Sequence, residues 1–248
     1  MIEVIPAILE KDFGEIEKKI HLVQGLVDWV QIDLADNTLV PNTTFLDPEP
    51  FTRLITSDLD AGDASEGSQT PASPCLSAAS KREFEDVFGI RKRQDPLKYE
   101  LHMMVKDSHM YLERFAKVGF KRFIAHVEGD YIEDYLDNCR NLGVEGGLAI
   151  DGPTNVEEIL KYLDRLNVVL VMAIEAGESG RPFREETVEK IKRIRKADPE
   201  LPIAIDGAMD AENAQKVVRA GATRINSNSY LFNSPDVRIA IEKLRNLE

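Results

Sequence analysis

Leu201-Pro202-Ile203-Ala204-Ile205-Asp206-Gly207 is a short apolar run that ends in a carboxylate and a glycine, with a helix-like stretch over residues 211–220 behind it. The pattern recurs far away in the chain. Asp28-Trp29-Val30-Gln31-Ile32-Asp33 also closes on an acid, and Tyr99-Glu100-Leu101-His102-Met103-Met104-Val105 carries a histidine. Short apolar strands, each followed by a helix, are how a (β/α) barrel brings side chains from distant parts of the chain to one mouth. Asp33, His102 and Asp206 at three such ends make the chain an enzyme candidate.

Strand-like and helix-like segments alternate around these runs. The strand candidates are 3–9, 28–34, 99–105, 122–127, 146–150, 168–174, 202–206 and 223–227. Helical patterns over 14–24, 108–118, 132–141, 155–163, 185–197, 211–220 and 235–247 repeat apolar residues at three- and four-residue intervals, as in Ile159, Tyr162 and Leu163. Asp210 before Ala211 and Ser234 before Pro235 are N-cap candidates. Gly25, Gly119, Gly143 and Gly221 stand where helices end. The expected fold is α/β, a single (β/α)8 TIM barrel over residues 1–248. Residues 57–80 break the rhythm. They are rich in Ser, Ala, Asp, Gly and Pro and too poor in apolar residues to offset the entropy of ordering, so a disordered insertion is expected in place of the second helix. Residues 81–93, with Phe84, Val87 and Phe88, are the displaced second helix or a docking element on this reading.

The 248 residues suit one barrel of about 250. A net charge of −13 disfavours nucleic acid and anionic membranes as partners, yet leaves room for a small anion held by backbone amides. The longest apolar run, 168–174, is far short of the roughly 20 residues of a membrane span. Cys75 and Cys139 have no metal spacing and suggest thiols in a reducing cytoplasm. Met1-Ile2-Glu3-Val4-Ile5-Pro6 already reads as a strand, so no secretory leader is expected.

Gln31, Asp33 and Ala35 share one face of their strand, with Trp29 one step deeper. Two carboxylates on opposite sides of a substrate carbon could remove a proton from one face and return it to the other. His126-Val127-Glu128 is a weaker candidate at the end of strand four. Glu175-Ala176-Gly177-Glu178-Ser179-Gly180 is a candidate mouth loop. Asn226-Ser227-Asn228-Ser229 ends strand eight, where barrels often bind phosphate.

At these residues the chain resembles the ribulose-phosphate 3-epimerase family. The resemblance runs from Pro6-Ala7-Ile8-Leu9 and Asp12-Phe13 through Val30-Gln31-Ile32-Asp33 and Val40-Pro41-Asn42-Thr43-Thr44-Phe45. It continues through Leu101-His102-Met103-Met104-Val105, His126-Val127-Glu128, Gly147-Leu148-Ala149-Ile150, Leu170-Val171-Met172 and Asp206-Gly207 to Ser229-Tyr230-Leu231-Phe232. It implies Asp33 and Asp206 as catalytic acid and base, working through an enediolate. It also implies a divalent metal (Zn, Mn, Fe or Mg) on Asp33, His102 and Asp206. Ala7, Met104, Gly147, Gly177, Gly180, Gly207, Ala208, Asn228 and Ser229 are the implied substrate and phosphate positions. The implied partner is a small sugar phosphate, in a cytoplasmic enzyme that is often a homo-oligomer.

Several positions depart from the family. Gln31 stands where the family has a second histidine ligand, and an amide oxygen is a poorer zinc ligand than imidazole. Gln31 as a fourth ligand, a three-ligand site and loss of the metal are all open. Ala7 replaces a serine, Ala208 a glycine, and Asn228-Ser229 a Gly-Ser pair, while Glu175 to Gly180 replaces the family's lid. Three readings follow: an epimerase of ketopentose phosphates, a catalytically lapsed sugar-phosphate-binding or regulatory barrel, and a metal-independent enzyme on another substrate.

Overall fold

The computed structural model describes residues 2–62, 96–176 and 181–247. Parallel strands close a barrel in the order β1 to β8: Glu3–Ile8, Trp29–Ala35, Lys98–Met104, Arg122–His126, Glu145–Ile150, Val168–Met172, Ile203–Asp206 and Arg224–Ser227. The helices outside are α1 (Phe13–Val23), α2 (Phe51–Gly62), α3 (His109–Val118), α4 (Ile132–Leu142), α5 (Glu157–Leu160), α6 (Glu186–Ala197), α7 (Ala211–Ala220), α8 (Ser229–Phe232) and α9 (Val237–Arg245). The expected TIM barrel is therefore present.

Each strand turns one face to the helices and the other to the barrel interior, so both faces are buried. The outer face carries the main apolar core, including Ile8, Ile32, Leu101, Phe123, Leu148, Val171, Ile205 and Ile225. The interior divides into two halves. Ile124, Ala149, Val168, Leu170, Met172 and Ala204 make an apolar half. Gln31, Asp33, Glu100, His102, Arg122, Arg224 and Asn226 are also buried, and they make the other half polar.

The second helix needs correction. It is neither missing nor displaced: α2 begins at Phe51 and takes in the first residues of the stretch read as an insertion. Phe51, Leu54 and Ile55 give it an apolar edge at helical spacing. The Phe51 ring meets Phe13 edge-on at 5.1 Å and Phe120 at 5.2 Å. That packing fixes the helix where the composition further along suggests none. Residues 63–80 and the expected helix over 81–93 lie outside the described residues. The helix expected over 155–163 shrinks to α5 and a 3-10 turn, Leu163–Arg165. The cap of α9 is Asp236, which accepts from the Arg238 N–H, and not Ser234. Asp210 does cap α7, accepting from the Asn213 N–H at 2.9 Å. No helix among the described residues is long and apolar enough to cross a membrane.

Candidate active site

The carboxyl ends of the strands surround a pocket that opens to solvent, and Asp33, His102, Met104, Asp206, Gly207, Ala208, Asn228 and Ser229 line it. Register puts them there. Asp33 lies beside His102 across the β2–β3 pairing, and Asp206 beside Asn226 across β7–β8. Ala7 pairs with Gln31 and Gly147 with Val168, both inside the wall of the barrel, and neither lines the pocket. A Cβ on Gly147 would come within 2.5 Å of Val168 Cγ1 and 2.8 Å of its carbonyl oxygen, so close strand packing explains that glycine. Gly177 and Gly180 lie outside the described residues. The Glu175 carboxylate pairs with Arg181 at 2.5 Å.

Asp33 and Asp206 are joined by a side chain beneath them. Gln31 Nε2 donates to Asp33 Oδ1 at 2.7 Å and to Asp206 Oδ2 at 2.7 Å. Burial pushes both acids up to about 7. The hydrogen bond from Gln31 opposes the rise at both, and the nearby charge of Asp33 adds to it at Asp206. A pair that titrates near neutrality can hold one carboxyl as acid and the other as base.

His102 extends the pair into a chain. Its Nδ1 is 3.0 Å from Asp33 Oδ1 and its Nε2 3.0 Å from His126 Nε2; His126 Nδ1 is 3.0 Å from Glu128 Oε2. Burial drives His102 down to about 3, so its imidazole is neutral. An ionised Glu128 only accepts, so His126 Nδ1 carries a hydrogen. The His102–His126 contact shares one hydrogen.

Asp33, His102 and Asp206 also offer three ligand atoms within 4.8 Å of one another, a set that can hold a metal ion. The donors are of the kind that zinc, manganese or iron accepts. The residue at the fourth side is Gln31, and it presents N–H hydrogens.

The loops above β7 and β8 carry backbone constraints. Gly207 has φ +102°, and a Cβ there would meet Ile174 Cγ1 at 2.4 Å. Ala208 has φ +52°, a left-handed conformation that strains a residue with a Cβ. Lys19 Nζ, 2.7 Å from Glu10, lies 3.3 Å from Asn228 Oδ1, so a cation stands at this rim.

From sequence, Asn226 stands only in a candidate phosphate-binding stretch, and Glu100, Arg122 and Arg224 were missed. Glu100 Oε2 accepts from Arg122 at 2.9 Å and Arg224 at 2.9 Å, and the Arg122 guanidinium stacks 4.0 Å above the Trp29 ring. A signal existed. Polar residues repeat with period two in strands whose other face is apolar, and in a closed barrel that face must point inward.

The model of the Ribulose-phosphate 3 epimerase family matches residues 86–232. The Ribulose-phosphate 3-epimerase of Schizosaccharomyces pombe is 25% identical over 248 residues, covering 98% of this chain and 92% of that protein. That of Aquifex aeolicus is 29% identical, covering 98% and 95%. Among solved structures, 3-keto-L-gulonate-6-phosphate decarboxylase from Vibrio cholerae superposes with a TM-score of 0.62 at 11% identity, covering 98% of this chain and 95% of that one. At that identity the likeness bears on the fold alone.

Proposed function

The chain belongs to the ribulose-phosphate 3-epimerase family, and on that premise we propose that it inverts the carbon next to the ketone of a ketopentose phosphate, with ribulose 5-phosphate as substrate. The observation that carries this reading is the pair Asp33 and Asp206. Asp33 is buried and Asp206 half-buried at strand ends in one pocket, and the two are bridged by Gln31 and pushed up to about 7.

Epimerisation needs a base on one face of the carbon and an acid on the other. The two carboxylates arrive on β2 and β7, with β1 and β8 between them around the barrel, so they flank the pocket from different sides. One takes the proton from the carbon beside the carbonyl. The electron pair moves into the carbonyl to give an enediolate, and the other carboxyl returns a proton to the opposite face. Asp33, His102 and Asp206 would hold a divalent cation, which when bound supplies Lewis-acid stabilisation of charge on the substrate oxygens. The phosphate belongs against Gly207-Ala208 and Asn228-Ser229, the loops where barrels of this type take phosphates, with Lys19 at the rim.

The test is conversion of ribulose 5-phosphate to its C3 epimer across a pH series. Chemistry requires one carboxyl protonated and one ionised. At low pH both carry protons and at high pH neither does, so kcat/KM is expected to peak near pH 7 and fall on both sides. A profile that is flat between pH 5 and 9, or no conversion, contradicts the assignment.

A further inference from the structure

A line of polar side chains runs down the barrel beneath the two aspartates. Gln31 Oε1 accepts from Asn226 Nδ2 at 2.6 Å, and the same nitrogen lies 3.4 Å from Glu100 Oε1. Glu100 Oε2 is already taken by Arg122 and Arg224, which leaves Oε1 for Asn226. Gln31, Asn226 and Glu100 are each 0% exposed.

The direction of the hydrogen bonds follows from chemistry. A carboxylate held by two arginines accepts and does not donate, so the end of Asn226 that faces Glu100 must be its NH2. The same NH2 then faces Gln31, which must answer with its oxygen. The Gln31 nitrogen is thereby turned up to Asp33 and Asp206. Among the described residues Asn226 Oδ1 has no hydrogen-bond partner, so no described group on its other side competes for the orientation. To offer its oxygen upward, Gln31 would turn its NH2 onto Asn226. Asn226 would then turn its oxygen against the Glu100 carboxylate.

We propose that Asn226, anchored by Glu100, is a positioning residue that holds the Gln31 amide with its nitrogen toward Asp33 and Asp206, so that Gln31 serves this site as a hydrogen-bond donor and not as a cation ligand. Gln31 then competes with any cation for the same two carboxylate oxygens. The chain thus weakens its own affinity for a divalent ion and retains a clamp on the acid pair that works without one. This rests on reading Asp33, His102 and Asp206 as the reacting site. The test below measures binding and not turnover, so the two can fail separately.

Mn²⁺ binding is measured calorimetrically on the full chain and on Gln31→Leu, Asn226→Leu and the double variant, with folding checked by circular dichroism. Gln31→Leu is expected to bind Mn²⁺ at least as tightly as the parent chain, because no ligand is lost and a competing donor is removed. Asn226→Leu is expected to bind about tenfold more tightly, because the Gln31 amide is released to present its oxygen. In the Gln31→Leu background, Asn226→Leu should add nothing. A tenfold or greater loss of affinity in Gln31→Leu would make Gln31 a ligand and overturn the proposal. So would unchanged affinity in Asn226→Leu, an Asn226 effect that persists without Gln31, or no Mn²⁺ binding by any form. Where Asn226→Leu does not fold, Gln31→Leu against the parent chain decides.

Discussion

Asp33→Asn and Asp206→Asn are each expected to lower kcat/KM for epimerisation by about a thousandfold or more, within the contribution general acid–base groups make. They are also expected to make the protein more stable at pH 8. Both carboxyls have folded-state values of about 7 against an ordinary 3.8. Between those values the folded chain keeps protons that the unfolded chain has released. Stability therefore falls as pH rises from about 4 to 7 and stays lowered above that. An asparagine cannot ionise and escapes this cost. With each pKa unit worth about 1.36 kcal/mol, the gain at pH 8 should reach a few kcal/mol, and it should vanish near pH 3. Thermal melts of the three proteins at pH 3 and pH 8, beside kinetics at pH 7, check both halves. Lost turnover with no gain at pH 8 would place the two acids in an environment that does not oppose their ionisation.

Glu100→Gln is expected to cause the largest loss of stability. Glu100 is 0% exposed and Arg224 2%, and Arg122 and Arg224 both bond to the same Glu100 oxygen. Removing that charge leaves two buried guanidiniums short of a partner, and breaking a buried pair this way costs about 3–5 kcal/mol. Glu3, 2.7 Å from Arg224, and Glu145, 2.6 Å from Arg122, soften the loss and place it near the lower end of that range. For a chain of this length that is a fall in Tm of about 10 °C. The control is Glu3→Gln. Its carboxylate is partly exposed and Arg224 keeps Glu100, so a smaller loss than for Glu100→Gln is expected. Equal melting temperatures for the two variants would mean that the buried network does not hold the barrel floor.

The strand ends were legible because each short apolar run closes on an acid or histidine before a helix, and in a parallel barrel such ends face the mouth. Asp33, His102 and Asp206 stood out for that reason, and the alternation around them was enough for the fold. The second helix was misplaced because composition over residues 57–80 outweighed Phe51, Leu54 and Ile55, and the partners of Phe51, the rings of Phe13, Tyr99 and Phe120, come from distant parts of the chain. The polar half of the barrel was missed for a related reason. Glu100, Arg122 and Arg224 look like solvent-facing residues until the sheet closes and their partners from three strands come within 2.9 Å. Gln31 was read as a weakened ligand from its oxygen. Its role as a donor depends on Asn226, 195 positions away, and on a register that sequence spacing does not reveal.

On the proposed function, Asp33 and Asp206 exchange the proton next to the ketone of a sugar phosphate. The most direct measurement is incubation of the protein with ribulose 5-phosphate in deuterium oxide, with and without added Mn²⁺ or Zn²⁺, followed by NMR at C3. Deuterium is expected at C3 in step with the epimer, and Asp33→Asn and Asp206→Asn are expected to abolish both. Binding of ribulose 5-phosphate with no deuterium at C3 under any of these conditions would contradict that function, and would leave a barrel that kept the pocket and lost the chemistry.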